Sequence, residues 1–304
     1  MKFSNPMKKP QPINPGDLIC IVAPAKSIDK SIVDYAKEFL VQRGFRVKVS
    51  AHCTGQHHYY SGTDEERTSD FQIAIDDSEV RAILCARGGY GSIRVFDQLD
   101  WSKFLERPKW IIGFSDITVF HHILQSMSIQ SIHGTMPLDF ESNSKEALET
   151  MLMAAGGDPF KIQVDSSKKN KEGTAKGQLI GGNLSIIYSL LGSQYAFDFQ
   201  DKILFIEDLS EQYYHIDRML YALKLHGVFD QISGLIVGGM TDMKDTEVSF
   251  GKDVYDLVSE HLEKKNIPVG FDFPCGHIHD NRAMTVGADV FYQVTDLGVE
   301  LSYV

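Results

Sequence analysis

Long apolar runs, an excess of basic residues and paired cysteines are all missing from this sequence. Its longest apolar stretches, such as residues 18–24 and 235–237, fall far short of the roughly 20 residues that cross a bilayer. Residues 1–15 carry Lys2, Lys8 and Lys9 with no apolar run behind them, so no secretion signal is expected and a cytoplasmic location is. Lys and Arg number 30 against 41 Asp and Glu, a formal charge of −11 that repels both a phosphate backbone and an anionic membrane. Nucleic acid and membrane are therefore not expected as partners. The four cysteines, Cys20, Cys53, Cys85 and Cys275, are widely spaced and form no C-x-x-C pair, which makes buried free thiols the expectation. What is present is an ordinary globular composition, 43% hydrophobic and 23% charged over 304 residues, enough for one large core or two smaller ones.

The first half alternates strand-like and helix-like segments. Residues 17–23 form an apolar run, and Ile32, Tyr35, Ala36, Phe39 and Leu40 recur at helical spacing until Gly44 closes the helix. Residues 45–50 alternate as a strand, and Thr63 with Glu66 makes a capping box for a helix reaching Ile75. Two further apolar strands, 80–86 and 110–114, each lead into a turn, the second followed by a helix to about Met127. Repeated strand–helix units predict a parallel sheet. The polar run 165–173 reads as a linker or exposed turn, which puts a domain boundary near 165 and divides the chain into 1–165 and 166–304. The second part mixes strands (202–207, 234–240, 268–273, 284–293, 299–304) with helices near 213–225 and 252–265, as α/β or α+β.

Three strand ends carry possible chemistry. Gly113-Phe114-Ser115-Asp116 joins a buried-type strand to a helix, where open α/β sheets keep their ligands, and resembles a nucleophile elbow with Ile117 in place of the usual second glycine. Helix capping by Ser115 is the competing reading. Glu207 follows the apolar run Ile203-Leu204-Phe205-Ile206, and a carboxylate there wants a cation or a histidine, with Asp208 and Glu211 able to cap the helix that starts near Tyr213. His277 stands in the glycine turn after the strand 268–273, and with His279 and Asp280 it also suits a metal site. Ser115, Glu207 and His277 occur in the order nucleophile, acid, base, an order that α/β-hydrolases use on another fold. The loop Arg87-Gly88-Gly89-Tyr90-Gly91 offers a closely approaching backbone N–H as an oxyanion donor, or a cradle for an anion.

Together these segments resemble the LD-carboxypeptidases, serine peptidases of the S66 type. The resemblance runs through Gly16-Asp17, Val22-Ala23-Pro24-Ala25, Gly62-Thr63-Asp64-Glu65-Glu66-Arg67, the 87–91 loop, Pro108-Lys109 and Gly113 to Thr118. It continues through Gly181-Gly182-Asn183-Leu184, Glu207-Asp208 and Gly276-His277 with Asn281, and so covers nearly the whole chain. It implies a flavodoxin- or Rossmann-like amino-terminal domain with the nucleophile, and a smaller carboxyl-terminal domain with the acid and base. The triad then maps onto Ser115, Glu207 and His277. Known members remove the terminal D-alanine of murein tetrapeptide in peptidoglycan recycling, and relatives are often homodimers. A sister branch, the microcin C immunity peptidases, cleaves aminoacyl-nucleotide conjugates, while residues 214–220 look more like the muropeptide branch.

The expected mechanism needs neither metal nor other cofactor. His277 takes the Ser115 proton, Glu207 holds the imidazole, and the N–H groups of Asp116 and of Gly88 or Gly89 bind the oxyanion. A chain of charge −11 must recognise an anionic substrate with local cations, for which Arg87 and Arg218 are the candidates, with Arg94, Arg282 and Lys26 behind them; Tyr59, Tyr60 and Tyr90 are placed in the cleft beside them. A metal-dependent hydrolase on His277, His279 and Asp280, and a non-catalytic ligand-binding module, are the other readings.

Overall fold

The structure, a computed structural model, describes residues 7–167 and 169–304. The amino-terminal reading around Lys2, and position 168 of the polar run, lie outside the described residues. Among the described residues thirteen strands follow in chain order: β1 (Leu18–Val22), β2 (Arg46–Val49), β3 (Val80–Cys85), β4 (Trp110–Ile112), β5 (Ser131–His133), β6 (Lys161–Asp165), β7 (Gly173–Asn183), β8 (Ile203–Leu209), β9 (Gly234–Thr241), β10 (Val269–Gly270), β11 (Met284–Val286), β12 (Asp289–Val294) and β13 (Gly298–Tyr303). They make two sheets of a mixed α/β protein.

The first unit comprises residues 1–159 and 282–285. Its sheet runs β11-β5-β4-β3-β1-β2, with parallel pairing from β2 through β5. The run Leu-Ile-Cys-Ile-Val of β1 is buried at every position because helices cover both faces of a central parallel strand, whereas the edge strand β2 keeps its alternation. Phe71 from one helix stacks on Phe120 from another at 4.5 Å inside this core. The predicted capping box closes in full, with Thr63 Oγ1 accepting from Glu66 N–H and Glu66 accepting from Thr63 N–H.

The second unit comprises residues 160–281 and 286–304. Its sheet, β10-β9-β8-β7-β12-β13-β6, is parallel from β10 to β7 and antiparallel beyond, so the eleven-residue β7 serves two partners. Residues 173–178 pair with β12 and residues 179–183 with β8.

Two sequence expectations change here and a third narrows. β6, placed by composition with the amino-terminal half, pairs with β13 and belongs to the second unit. Of the two readings of the polar run after it, linker or exposed turn, the structure has an anchored turn: Lys171 exchanges backbone bonds with Val269, and Asn170 Oδ1 accepts from Phe271 N–H at 2.8 Å. The single strand expected over 284–293 breaks at Gly287, whose φ of +86° turns the chain, sending β11 to the first sheet and β12 to the second.

Candidate active site

In the first unit the carboxyl ends of β1, β3 and β4 carry the residues of interest. After β4 the chain turns sharply through Ser115, whose φ of +63° is a left-handed conformation that costs a non-glycine residue about 1 kcal/mol or more. Gly113 is required beneath it, because a Cβ there would stand 3.0 Å from two carbons of the buried Ile117, the residue that replaces the second glycine of an elbow. His121 Nε2 lies 3.0 Å from Gly113 O and its Nδ1 2.8 Å from Ser131 Oγ, which pins the turn from below. Ser115 does not cap a helix: the 3-10 turn Ser115–Ile117 starts at Phe114 and neither it nor the helix Thr118–Ser126 has a side-chain cap.

The glycine loop after β3 packs directly on this turn. A Cβ on Gly88 would come within 2.9 Å of Ser115 Cβ, 3.0 Å of its Oγ and 3.2 Å of Asp116 N, so glycine lets main chain approach the hydroxyl. Asp116, buried, accepts from Ser92 N–H at 2.8 Å and ties turn to loop, and burial raises its pKa above the usual carboxylate range. The Asp116 side chain thus has a structural part beside the backbone role expected of its N–H.

Of the expected substrate-binding groups, Arg87 is half-buried and donates from Nη1 to Ser27 O at 2.9 Å, while Tyr90 is exposed with its ring 6.3 Å from Tyr60. Arg94 and the buried Arg67 share one carboxylate, Asp64, which engages the donors of both. Arg218 lies in the second unit, exposed on the helix Tyr213–Leu225 with its guanidinium over the Tyr214 ring at 5.4 Å.

The second unit brings Glu207 and His277 together across 70 residues of sequence. Glu207, fully buried on β8 in register with Asn183, has its Oε2 2.6 Å from His277 Nδ1 and accepts His277 N–H at 3.3 Å. An ionised carboxylate only accepts, which assigns the Nδ1 proton to the imidazole and makes Nε2 its basic nitrogen. Gly276, at φ +97°, cannot be replaced: a Cβ would lie 2.5 Å from both Glu207 Cβ and Oε2. Its N–H donates to Asn281 Oδ1 at 2.7 Å, and Thr241 Oγ1 donates to His277 O at 2.8 Å. The Thr241 contact had no signal in the sequence.

Asp208 points away from this pair. It accepts from Asn183 Nδ2, Ser185 N–H and Leu209 N–H at 2.8–3.0 Å, at the start of the helix Leu184–Leu190 rather than the one at Tyr213. Burial, reinforced by the neighbouring Glu207 charge, pushes its pKa up to about 7. His279 is exposed, and among the described residues no group of three or more His, Cys, Asp or Glu side chains could hold a metal ion. A cavity of about 510 Å³ in this unit, walled by Tyr213, Met240, Asp242, Tyr255 and Asp272, does not include Glu207 or His277.

A strained serine at the carboxyl end of a parallel strand, and a buried glutamate beside a histidine, are residue types that serine hydrolases use. Residues 19–134 match the model of the LD-carboxypeptidase amino-terminal domain and residues 176–291 that of its carboxyl-terminal domain. The chain belongs to the LD-carboxypeptidase family, peptidase S66, and is a serine-type carboxypeptidase. It is 32% identical over 286 residues to the probable murein peptide carboxypeptidase of Bacillus subtilis (strain 168), covering 92% of this chain and 90% of that one. It is 27% identical over 303 residues to the microcin C7 self-immunity protein MccF of Escherichia coli, covering 87% and 86%. The crystal structure of muramoyltetrapeptide carboxypeptidase from Oxalobacter formigenes superimposes with a TM-score of 0.86 at 27% identity, covering 94% of this chain and 98% of that one. No described helix is long and apolar enough to cross a membrane.

Proposed function

We propose that this carboxypeptidase hydrolyses the amide to the terminal D-alanine of murein tetrapeptide in cytoplasmic peptidoglycan recycling, with Ser115, Glu207 and His277 as its catalytic triad. The observation that carries this reading is the 2.6 Å pair of His277 Nδ1 with the buried Glu207. In the first step Ser115 Oγ bonds to the scissile carbonyl carbon as its proton passes to His277 Nε2, and the carbonyl π electrons move to oxygen. Asp116 N–H, with Gly88 or Gly89 N–H, receives that oxyanion, each donor contributing roughly 2.7–4 kcal/mol by analogy with other hydrolases. The C–N bond then breaks, the Nε2 proton goes to the departing amine, and D-alanine leaves. Water repeats the sequence on the acyl-serine and regenerates the enzyme. Glu207 fixes the ring tautomer and stabilises the imidazolium. Arg87, Tyr90 and Arg218 are assigned to the substrate.

The likeness to MccF favours a second reading, in which the same triad cleaves an aminoacyl-nucleotide conjugate. Release of free D-alanine from murein tetrapeptide by wild type, Ser115→Ala and chelator-treated enzyme separates the possibilities. Release that survives chelator and vanishes in the mutant supports the muropeptide reading. Hydrolysis of a conjugate without D-alanine release supports the second, and loss with chelator alone would point to metal chemistry. Four free, buried cysteines suit a reducing compartment. A homodimer is part of the same proposal, and Tyr221 and the 85% exposed Leu225 on the helix Tyr213–Leu225 give it an apolar face; sedimentation measures it.

A further inference from the structure

We infer that Lys26 is the residue that reads the substrate's free terminal carboxylate, a role that rests on Ser115 being the nucleophile. The strand order 2-1-3-4-5 in the first sheet reverses direction between β1 and β3, and open α/β sheets hold their ligands at that crevice. Lys26 follows β1, and Arg87, Gly88 and Gly89 follow β3, so both borders of the crevice are in hand.

Charge selects Lys26 from the cations nearby. Arg67 and Arg94 are held by Asp64. Lys26 is half-buried and has no carboxylate within ion-pair distance among the described residues, and its Nζ rests 5.0 Å above the centre of the Tyr59 ring. Arg87 is also without a carboxylate, but it is anchored to Ser27 O, and its Nε is buried with no hydrogen-bond partner. Arg87 therefore steadies the 26–27 segment and adds positive potential, while the Lys26 ammonium keeps its donors for a ligand. In a chain of charge −11, an uncompensated cation is what an anionic substrate needs.

Spacing supports the same assignment. Gly88 packs on Ser115, and a Cβ on the next residue, Gly89, would meet Lys26 Cβ at 2.9 Å and the Tyr59 hydroxyl at 3.0 Å. Consecutive glycines of one loop thus meet the Ser115 hydroxyl and the aliphatic stem of Lys26, which brings nucleophile and lysine to the same loop. The arrangement is locked: Ser27 N–H donates to Tyr59 O at 3.1 Å, Lys26 bridges to Tyr60, and the Arg67 guanidinium lies 4.5 Å from the centre of the Tyr60 ring.

The test compares murein tetrapeptide with the same peptide ending in D-alaninamide, on wild type, Lys26→Met and Lys26→Arg. Turnover is measured as kcat/KM, and binding by calorimetry in the Ser115→Ala background. Lys26→Met should lose about 10- to 100-fold on the free acid and little on the amide, the scale of one charge-assisted hydrogen bond. Lys26→Arg should recover most of it. Equal losses on both peptides, or none, would overturn the assignment while leaving the proposed reaction intact. If wild type cleaves neither peptide but Ser115→Ala binds the acid over the amide in a Lys26-dependent way, the Lys26 role stands and the proposed reaction falls. Absence of both turnover and acid-selective binding removes both.

Discussion

Oε2 of Glu207 lies 2.6 Å from Nδ1 of His277 and also accepts that residue's backbone N–H, at 3.3 Å. One oxygen thereby fixes both the ring and the main chain that carries it. Glu207→Gln preserves shape and removes the charge that stabilises the imidazolium. We expect kcat on murein tetrapeptide to fall by about 10³- to 10⁴-fold, the scale seen when a triad acid becomes its amide. A fall below tenfold would end the orienting role of Glu207.

Ser115 is held at φ +63°, where glycine is at ease and serine is not. Ser115→Gly should therefore raise stability by about 1 kcal/mol while turnover disappears. Thermal melts and D-alanine release on the same preparation check the two halves. A variant that is both inactive and less stable would show the turn to be supported by the hydroxyl itself.

Gly88 has no left-handed backbone to protect, so alanine is allowed there by φ and forbidden only by its neighbours. The added methyl would stand 2.9–3.2 Å from Ser115 Cβ, Ser115 Oγ and Asp116 N. Gly88→Ala should lower kcat by at least tenfold and, because the turn must shift to admit the methyl, lower the melting temperature as well. Wild-type kcat would mean that the loop is not the wall of the reacting centre.

His121 is wholly buried, and its pKa is pushed down to about 3, chiefly by burial and secondly by neighbouring His133. The unfolded chain takes up this proton near 6.5, the folded chain only near 3. The stability it contributes is complete above about pH 6.5 and is lost as pH falls from there toward 3. Urea midpoints should decline over that interval, and His121→Gln should flatten the decline. Parallel curves for the two proteins would assign the pH dependence to other groups.

Local chemistry was legible wherever it acts within a few residues. The Thr63–Glu66 box, the closure of the first helix at Gly44 and the burial of β1 follow from spacing and apolar content. The single strand expected over 284–293 failed because apolar alternation does not say which sheet a strand joins, and Gly287 admits a turn between two of them. Asp208 failed as a cap for the helix at Tyr213 because its partners, Asn183 and Ser185, lie more than 20 residues upstream and reach it only through the pairing of β7 with β8.

The amino-acid sequence by itself determined the alternating strand–helix plan, the glycine turns at strand ends, the excess negative charge and the family. These depend on residue type and short-range order. Tertiary structure alone decided that Glu207 meets His277 while Asp208 meets Asn183, because those partners lie 70 and 25 residues away and reach the end of β8 only through the fold. It alone decided that Arg94 is ion-paired to Asp64 while Lys26 lies against the Tyr59 ring. Charge in a sequence is only a count; whether a cation is available depends on which carboxylates the fold brings within about 4 Å.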